Sequence, residues 1–378
     1  MTDKILSRKQ ALSRAKRVVI KIGSTVLTGR ATGVDKKRIE AISDDIAWLR
    51  SKGVEVVVVT SGAVSAGMHK MGLKEKPRVI DLKQAAAAVG QSALMRLYEK
   101  GLGRHDIGVG QMLLTSGDLM DRRRFLNARN TLGKLIEYGF VPVINENDTV
   151  SVEELRFSDN DNLAAFVTNL AEADTLVILS DVDGLFDKDP ANQDARLITD
   201  VGCITPEVEK MAGASCSVFG TGGMASKLTA AKKAVARGAA CFIINGKKDG
   251  NIKALFEGGP VGSYFMPGEA CLTSKKHWIA FSMKEKGRLT VDAGAARALL
   301  KGGKSLLPSG IKSVEGRFAP GDAVEIADED GRPIARGLVH YGYEEVEKIM
   351  GAKTSEIEKL LGYKYCDEVV HRDDLVLV

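Results

Sequence analysis

Short apolar runs closed by small or polar residues recur along the first ~260 residues, separated by longer stretches of helical character. Val18–Ile22, Val54–Thr60, Ile107–Leu114, Val141–Asn145, Thr175–Leu179 and Ala240–Ile244 are too short for helices and rich in β-branched residues, which predicts buried strands. Between them Ile39–Arg50 has a 3.6-residue period. Asp81–Glu99, Phe125–Glu137, Ala164–Ala171 and Leu228–Gly238 consist of good helix formers. Strand and helix alternate with no solenoid-length repeat, so the expected fold is α/β: a doubly wound, mainly parallel sheet with helices on both faces. The composition shifts at Pro260–Pro267. Beyond it, the short runs Arg288–Val291, Gly310–Val314, Ala323–Ala327 and Pro333–Tyr341, with the turn Asp330-Gly331, predict a small β-barrel, followed by a helix at Glu344–Met350. The expected organisation is a catalytic domain over 1–265, a linker over 266–277, a second domain over 278–360 and a tail over 361–378.

In an open parallel sheet, ligands gather beyond the carboxyl ends of the strands, and the polar residues of this chain concentrate there. Lys21, Gly23 and Ser24 close the first strand. A lone lysine at a strand end is usually just solvated. Ser61 closes the second strand, where its hydroxyl and the neighbouring NH groups could bind a carboxylate, or it could cap the next helix, the commoner role. Asn145-Glu146-Asn147-Asp148 follow the Val141 strand, a density of polar groups beyond what a turn requires. Thr149–Ser158 reads as an exposed hairpin or flap. Asp159-Asn160-Asp161-Asn162 supply a helix cap, but one cap needs one residue. Ser180-Asp181-Val182-Asp183-Gly184 lacks the later glutamate of a calcium loop, and a strand precedes it, so nucleotide contact is the better reading.

The stretch Gly220–Lys227, GTGGMASK, stands apart. Three glycines in four positions predict a loop, and the alanine- and lysine-rich segment after it predicts that the loop feeds a helix amino terminus. Unpaired NH groups and the helix dipole favour an anion such as phosphate there, with Lys227 beside it. The stretch is neither a dinucleotide fingerprint, since no clear strand precedes it and Asn245 stands where an acidic ribose partner is needed, nor a Walker-type loop.

Composition narrows the picture further. The 378 residues carry a formal net charge of +5 spread without long runs, which favours small anionic ligands over nucleic acid. No apolar stretch approaches the roughly 18 residues of a membrane helix, and Met1–Lys9 lacks a signal-peptide core, so a cytoplasmic location is expected. The five cysteines are widely spaced without a C-x-x-C pair and the five histidines are scattered. Reduced structural thiols are expected, with neither zinc nor Cys–His nucleophilic chemistry.

Six motifs in order, IKIGS (20–24), VTSGAVSAG (59–67), VPVINENDTV (141–150), SDNDNLAA (158–165), LSDVDGLF (179–186) and GTGGMASK (220–227), make the chain resemble the glutamate 5-kinases of the amino acid kinase family over nearly its whole length. The resemblance implies ATP-dependent phosphorylation of the γ-carboxylate of L-glutamate, the first step of proline synthesis, with Mg2+ held mainly by the ATP phosphates. By the same resemblance, Lys21, Gly23 and the loop of Thr221, Gly222, Gly223, Met224, Ala225, Ser226 and Lys227 bind the ATP phosphates. Ser180 and Asp181 lie near the nucleoside; Ser61, Asp148 and Asn160 hold glutamate; Asp161 orients the catalytic Lys21 and Lys227. Feedback inhibition by proline, a homo-oligomer and a downstream glutamyl phosphate reductase as partner are implied too. Two departures from the family pattern, Ser158 in place of glycine and Arg156 in place of lysine, fall in the flap and bear on substrate affinity. The last ~100 residues resemble a PUA domain, a fold also found in RNA-modifying enzymes. From Trp278 to Lys353, twelve Lys and Arg face eleven Asp and Glu, so a structural or regulatory accessory is expected in preference to RNA binding.

Overall fold

The computed structural model describes residues 6–28, 33–151, 159–213, 223–267, 276, 279, 283 and 285–378. They divide into two units, with the boundary between Cys271 and Leu272.

The first unit is built on an eight-stranded sheet: β1 (Arg17–Ile22), β2 (Glu55–Thr60), β3 (Val109–Leu114), β4 (Val141–Glu146), β5 (Thr175–Ser180), β6 (Asp200–Val201), β7 (Ala240–Asn245) and β8 (Ser263–Phe265). Their spatial order is β3-β4-β2-β1-β5-β7-β8-β6. β1 lies at the centre, parallel to β2 on one side and to β5 on the other, with Lys21 opposite Val59 and Ile178. The chain runs outward from β1 in one direction through β2 and in the other through β5, which makes the carboxyl ends of β1 and β5 a topological switch point. The two strands absent from the sequence reading, β6 and β8, have two and three residues, too few to show a period. β8 lies inside the Pro260–Pro267 stretch, where Tyr264 and Phe265 are fully buried and the strand runs antiparallel to β7.

Period-two alternation decides what each face of β1 presents. Val18, Ile20 and Ile22 join one core with the helices Lys36–Ser51, Ile80–Gly103 and Asn251–Phe256. Val19 and Lys21 therefore face the other side, on which the helix Asn160–Leu170 packs against β1. A lysine in a buried strand is costly, and this placement aims it at the helix that carries an aspartate in its first turn.

Two helices beyond β2 set the position of the Ser61 turn. Ala63–Lys70 and Ile80–Gly103 cross in such close contact that a Cβ added to Gly90 would lie 1.7 Å from the Ala63 carbonyl oxygen, and one added to Gly67 the same distance from that of Ala86. Gly62 enters the first helix at φ 101°, a left-handed conformation that glycine adopts without strain.

The second unit is a five-stranded sheet of β9 (Gly287–Val291), β10 (Ile311–Gly316), β11 (Ala323–Ala327), β12 (Pro333–Val339) and β13 (Val370–Leu377), in the order β10-β9-β11-β12-β13. It has its own core, including Leu289, Val324, Ile326, Val339, Tyr341 and Ile349. The segment 361–378, expected as a tail, instead ends in β13, which pairs antiparallel with β12 and buries Val370, Leu375 and Val376. Its apolar positions are interrupted by His371, Arg372, Asp373 and Asp374, and this hid the strand.

Candidate active site

Three charged side chains meet at the switch point. Asp161 is fully buried, and Lys21 and Lys227 are only 5% and 7% exposed. Asp161 Oδ1 pairs with Lys21 Nζ, and Oδ2 accepts a hydrogen bond from Lys227 Nζ at 3.3 Å. Lys227 reaches this point because it lies on the buried face of the helix Met224–Ala236 with Ala230, Ala231 and Ala234, the i+3, i+4 and i+7 positions. Burial alone would raise the Asp161 pKa, but the two ammonium groups outweigh it and hold the carboxyl below its ordinary value. One carboxylate between two ammonium groups leaves one net positive charge, a cradle for an anion.

The four residues that open the Asn160–Leu170 helix have different sets of partners. Asp159 is the cap, accepting from Asn162 N at 3.0 Å, and its other oxygen accepts from Ser226 Oγ. Asn160 Nδ2 lies within reach of Thr60 O (2.6 Å), Ser61 Oγ (2.9 Å) and Asn145 Oδ1 (2.9 Å), more acceptors than its two protons can serve well at once. Asp161 pairs the lysines, and Asn162 Oδ1 accepts from Lys233 Nζ at 2.7 Å. Capping of the Ala63 helix by Ser61, left open in the sequence, is not seen. The cap is Gly62 without a side-chain bond. The Ser61 hydroxyl thus faces Asn160 at the mouth of the site.

On the β2–β4 side, Asn145 Nδ2 donates to the buried Gln91 Oε1 at 2.9 Å. Gln91 also lines a pocket with Gln111, Glu146, Asn147, Asp148 and Thr149. Asp148 thus shares a pocket with Gln91, which Asn145 ties to the Ser61–Asn160 patch. On the β5 side, a second cleft is bounded by Ser180, Asp181, Leu185, Phe186, Gly223 and Met224, with Lys227 also in its wall. Asp183, beside it, is held by Asn245 Nδ2 at 3.0 Å and Lys248 Nζ at 2.7 Å. The lysine pair thus stands between a cleft of apolar and polar walls and a patch of amides, a hydroxyl and a carboxylate.

The amino acid kinase family profile matches residues 16–245, and the PUA domain profile matches residues 287–361. Over 98% of its length the chain is 54% identical to glutamate 5-kinase of Syntrophotalea carbinolica, covering 99% of that protein. It is 52% identical to glutamate 5-kinase of Geobacter sp. strain M21 and 51% identical to that of Citrifermentans bemidjiense, over 98% of its own length and all of theirs. The chain belongs to the glutamate 5-kinase family.

Of the residues that the glutamate 5-kinase resemblance singles out, the structure brings Lys21, Lys227 and Asp161 into one triplet and Ser61 and Asn160 into another contact. Ser180, Asp181, Gly223, Met224 and Lys227 share one cleft. Gly23 follows β1, where an added Cβ would come 3.5 Å from Lys21 Nζ. Ser226 is turned to Asp159, and Ala225 does not line the cleft. The helix begins at Met224, so the last four residues of GTGGMASK are its first turn. Thr221, Gly222, Arg156 and Ser158 lie outside the described residues, as does most of the flap. Asn145, Gln91, Asp159 and the cleft residues Leu185 and Phe186 were not singled out. Asn145 and Asp159 sit in the two polar runs whose density was the available signal, whereas Gln91 lies in an alanine-rich helix and gives none.

Proposed function

We infer that this protein transfers the γ-phosphoryl group of ATP to the γ-carboxylate of L-glutamate, giving L-glutamyl 5-phosphate, the first step of proline biosynthesis. The observation that carries the reading is the buried Lys21–Asp161–Lys227 triplet between the two clefts, in a chain about half identical to glutamate 5-kinases along its length. A carboxylate attacking a triphosphate meets electrostatic repulsion, and phosphoryl transfer depends mainly on alignment and charge neutralisation. In this reading Lys21 and Lys227 face the transferred group from two elements, and Asp161 holds both ammonium groups in place. The Ser180–Phe186 cleft receives the nucleoside, and the NH groups opening the Met224 helix receive phosphate. Ser61, Asn160 and Asp148 hold glutamate, with Asp148 as counter-charge to its ammonium group.

The donor set at the triplet, two ammonium groups and a carboxylate already paired on both oxygens, suits an anion and does not suit a bare cation. Mg2+ fits as part of the nucleotide complex, coordinated by phosphate oxygens, where it neutralises phosphate charge. The chain's own residues then bind, orient and supply the remaining positive charge.

Proline carries the same α-carboxylate and a charged amine but no γ-carboxylate. It would occupy the glutamate contacts without reacting, and inhibition competitive with glutamate is part of the proposal. The acyl phosphate product is labile, which favours prompt use by a glutamyl phosphate reductase, and a cytoplasmic homo-oligomer fits the reading. Among the described residues no helix is long and apolar enough to cross a membrane. The second unit is an accessory in this account. A hydroxamate assay with ATP, Mg2+ and a panel of amino acids tests the reading: glutamate should give product and aspartate little, and preference for aspartate would overturn it.

A further inference from the structure

The five-stranded unit assembles a group of side chains that plays no part in phosphoryl transfer. His340, just past β12, lies between Cys366, in the loop that precedes β13, and Asp374 on β13 itself. Its Nδ1 is 3.0 Å from Cys366 Sγ, and its Nε2 is 3.5 Å from Asp374 Oδ2. The backbone around the thiol is clamped. The buried Tyr341 hydroxyl accepts from the NH groups of Tyr365 and Cys366, at 3.1 and 3.0 Å, and donates to Cys366 O at 2.6 Å. His340 N donates to Val369 O at 2.8 Å, which fixes the strand end that carries the imidazole. Cys366 is a free, half-buried thiol. The 26-residue separation between Cys366 and His340 explains why no motif announces the pair.

The thiol has two acceptors within reach, the Glu368 carbonyl oxygen at 3.1 Å and His340 Nδ1. Only the imidazole can take its proton. A neutral imidazole with its Nε2–H toward Asp374 leaves Nδ1 as the acceptor, and the carboxylate stabilises the imidazolium once it forms, the arrangement that activates a cysteine nucleophile. Burial pushes the Cys366 thiol above its ordinary range, so unassisted thiolate is scarce at neutral pH and the contact with His340 decides its reactivity.

We propose that Cys366, His340 and Asp374 form a thiol-exchange site at which the protein takes up a small-molecule disulfide as a mixed disulfide. In the step, Cys366 Sγ attacks one sulfur of R–S–S–R, a protein S–S–R bond forms as the R–S–S–R bond breaks, and the released thiolate leaves as R–SH. The proton passes from Cys366 to His340 Nδ1 and from there to the leaving sulfur. Besides His340 and Asp374, the titratable groups around the thiol are Tyr341, just past β12, and Asp367 and Glu368 from its own loop, while Tyr365 stands edge-on to the His340 ring. Lys364 is paired with Asp367 at 2.5 Å.

The test uses the full-length protein, oxidised glutathione as the probe, and peptide-resolved mass spectrometry, with the exposed Cys203 as reference within each sample. At pH 7 the wild-type Cys366 should be modified at least about a hundredfold faster than Cys203, the low end of what a positioned general base contributes. Its rate should already rise with pH below the range of a free thiol, near ~8.5. His340→Gln, which keeps a donor and an acceptor but cannot act as a base, should remove most of the advantage at Cys366 and leave Cys203 unchanged. Asp374→Asn should remove part of it. A wild-type Cys366 no faster than Cys203 overturns the proposal without any variant, as does a rate that tracks only the thiol titration.

Discussion

Asp161 shows how one residue can carry both structure and chemistry. Both of its oxygens are committed to buried ammonium groups, so replacing it with asparagine leaves two desolvated charges facing a neutral amide. Removing one partner of a buried ionic group typically costs about 3–5 kcal/mol. Asp161→Asn should therefore lower the thermal midpoint of the ligand-free enzyme measurably in calorimetry and also lower kcat; an unchanged midpoint would mean that the lysines find other partners. Asp148 is different, because it faces a pocket and its proposed partner is a ligand. Asp148→Asn should raise the KM for glutamate and the inhibition constant for proline together. Inhibition kept intact while glutamate affinity falls would place proline elsewhere. At this scale the sequence showed which residue types crowd the strand ends, but not that Asn160 spans β2 and β4 or that Ser226 serves Asp159, since these depend on contacts 15 to 100 residues apart.

Two elements hold the site from behind. The crossing of Ala63–Lys70 on Ile80–Gly103 depends on the missing side chains of Gly67 and Gly90, and Ala63 follows the Ser61-Gly62 turn directly. Gly90→Ala should destabilise the protein by about 3 kcal/mol or more, the upper end for overpacking, and raise the KM for glutamate by displacing Ser61. Chemical denaturation and steady-state kinetics on one preparation would check both. In the same core, Asp45 of the Lys36–Ser51 helix accepts from Ile252 N at 3.2 Å at the start of the Asn251–Phe256 helix. Burial is the largest cause of its elevated pKa of about 6, opposed by hydrogen bonds from Ile252 and Lys253. A carboxyl with a raised pKa binds its proton more tightly folded than unfolded, so its contribution is full below about pH 4 and is lost as pH rises through about 6. Asp45→Asn should therefore gain stability relative to wild type between pH 4.5 and pH 7, measured by urea unfolding; a pH-independent difference would contradict it. Helix and strand positions were legible from periodicity, with ends displaced by a few residues. The short strands β6 and β8 and the glycine-mediated helix crossing were not, because two or three residues carry no period and a missing side chain carries no pattern.

The whole molecule consists of two units, each with a core of its own. All residues of the proposed chemistry lie in the first, and the order of its six motifs was the strongest signal in the sequence because each closes a strand of the same sheet edge or opens the helix beside it. Deleting residues 272–378 should leave glutamate phosphorylation detectable, and a folded fragment without activity would make the second unit part of the catalytic machinery. In the proposed reaction the two lysines act together on charge developing in the transferred phosphoryl group. The decisive measurement is kcat for Lys21→Ala, Lys227→Ala and the double variant. Each single change should lower kcat by on the order of a hundredfold, as loss of a preorganised electrostatic group does, and the double should fall well short of the product of the two. Single variants that raise only the KM for ATP, with kcat intact, would contradict the account.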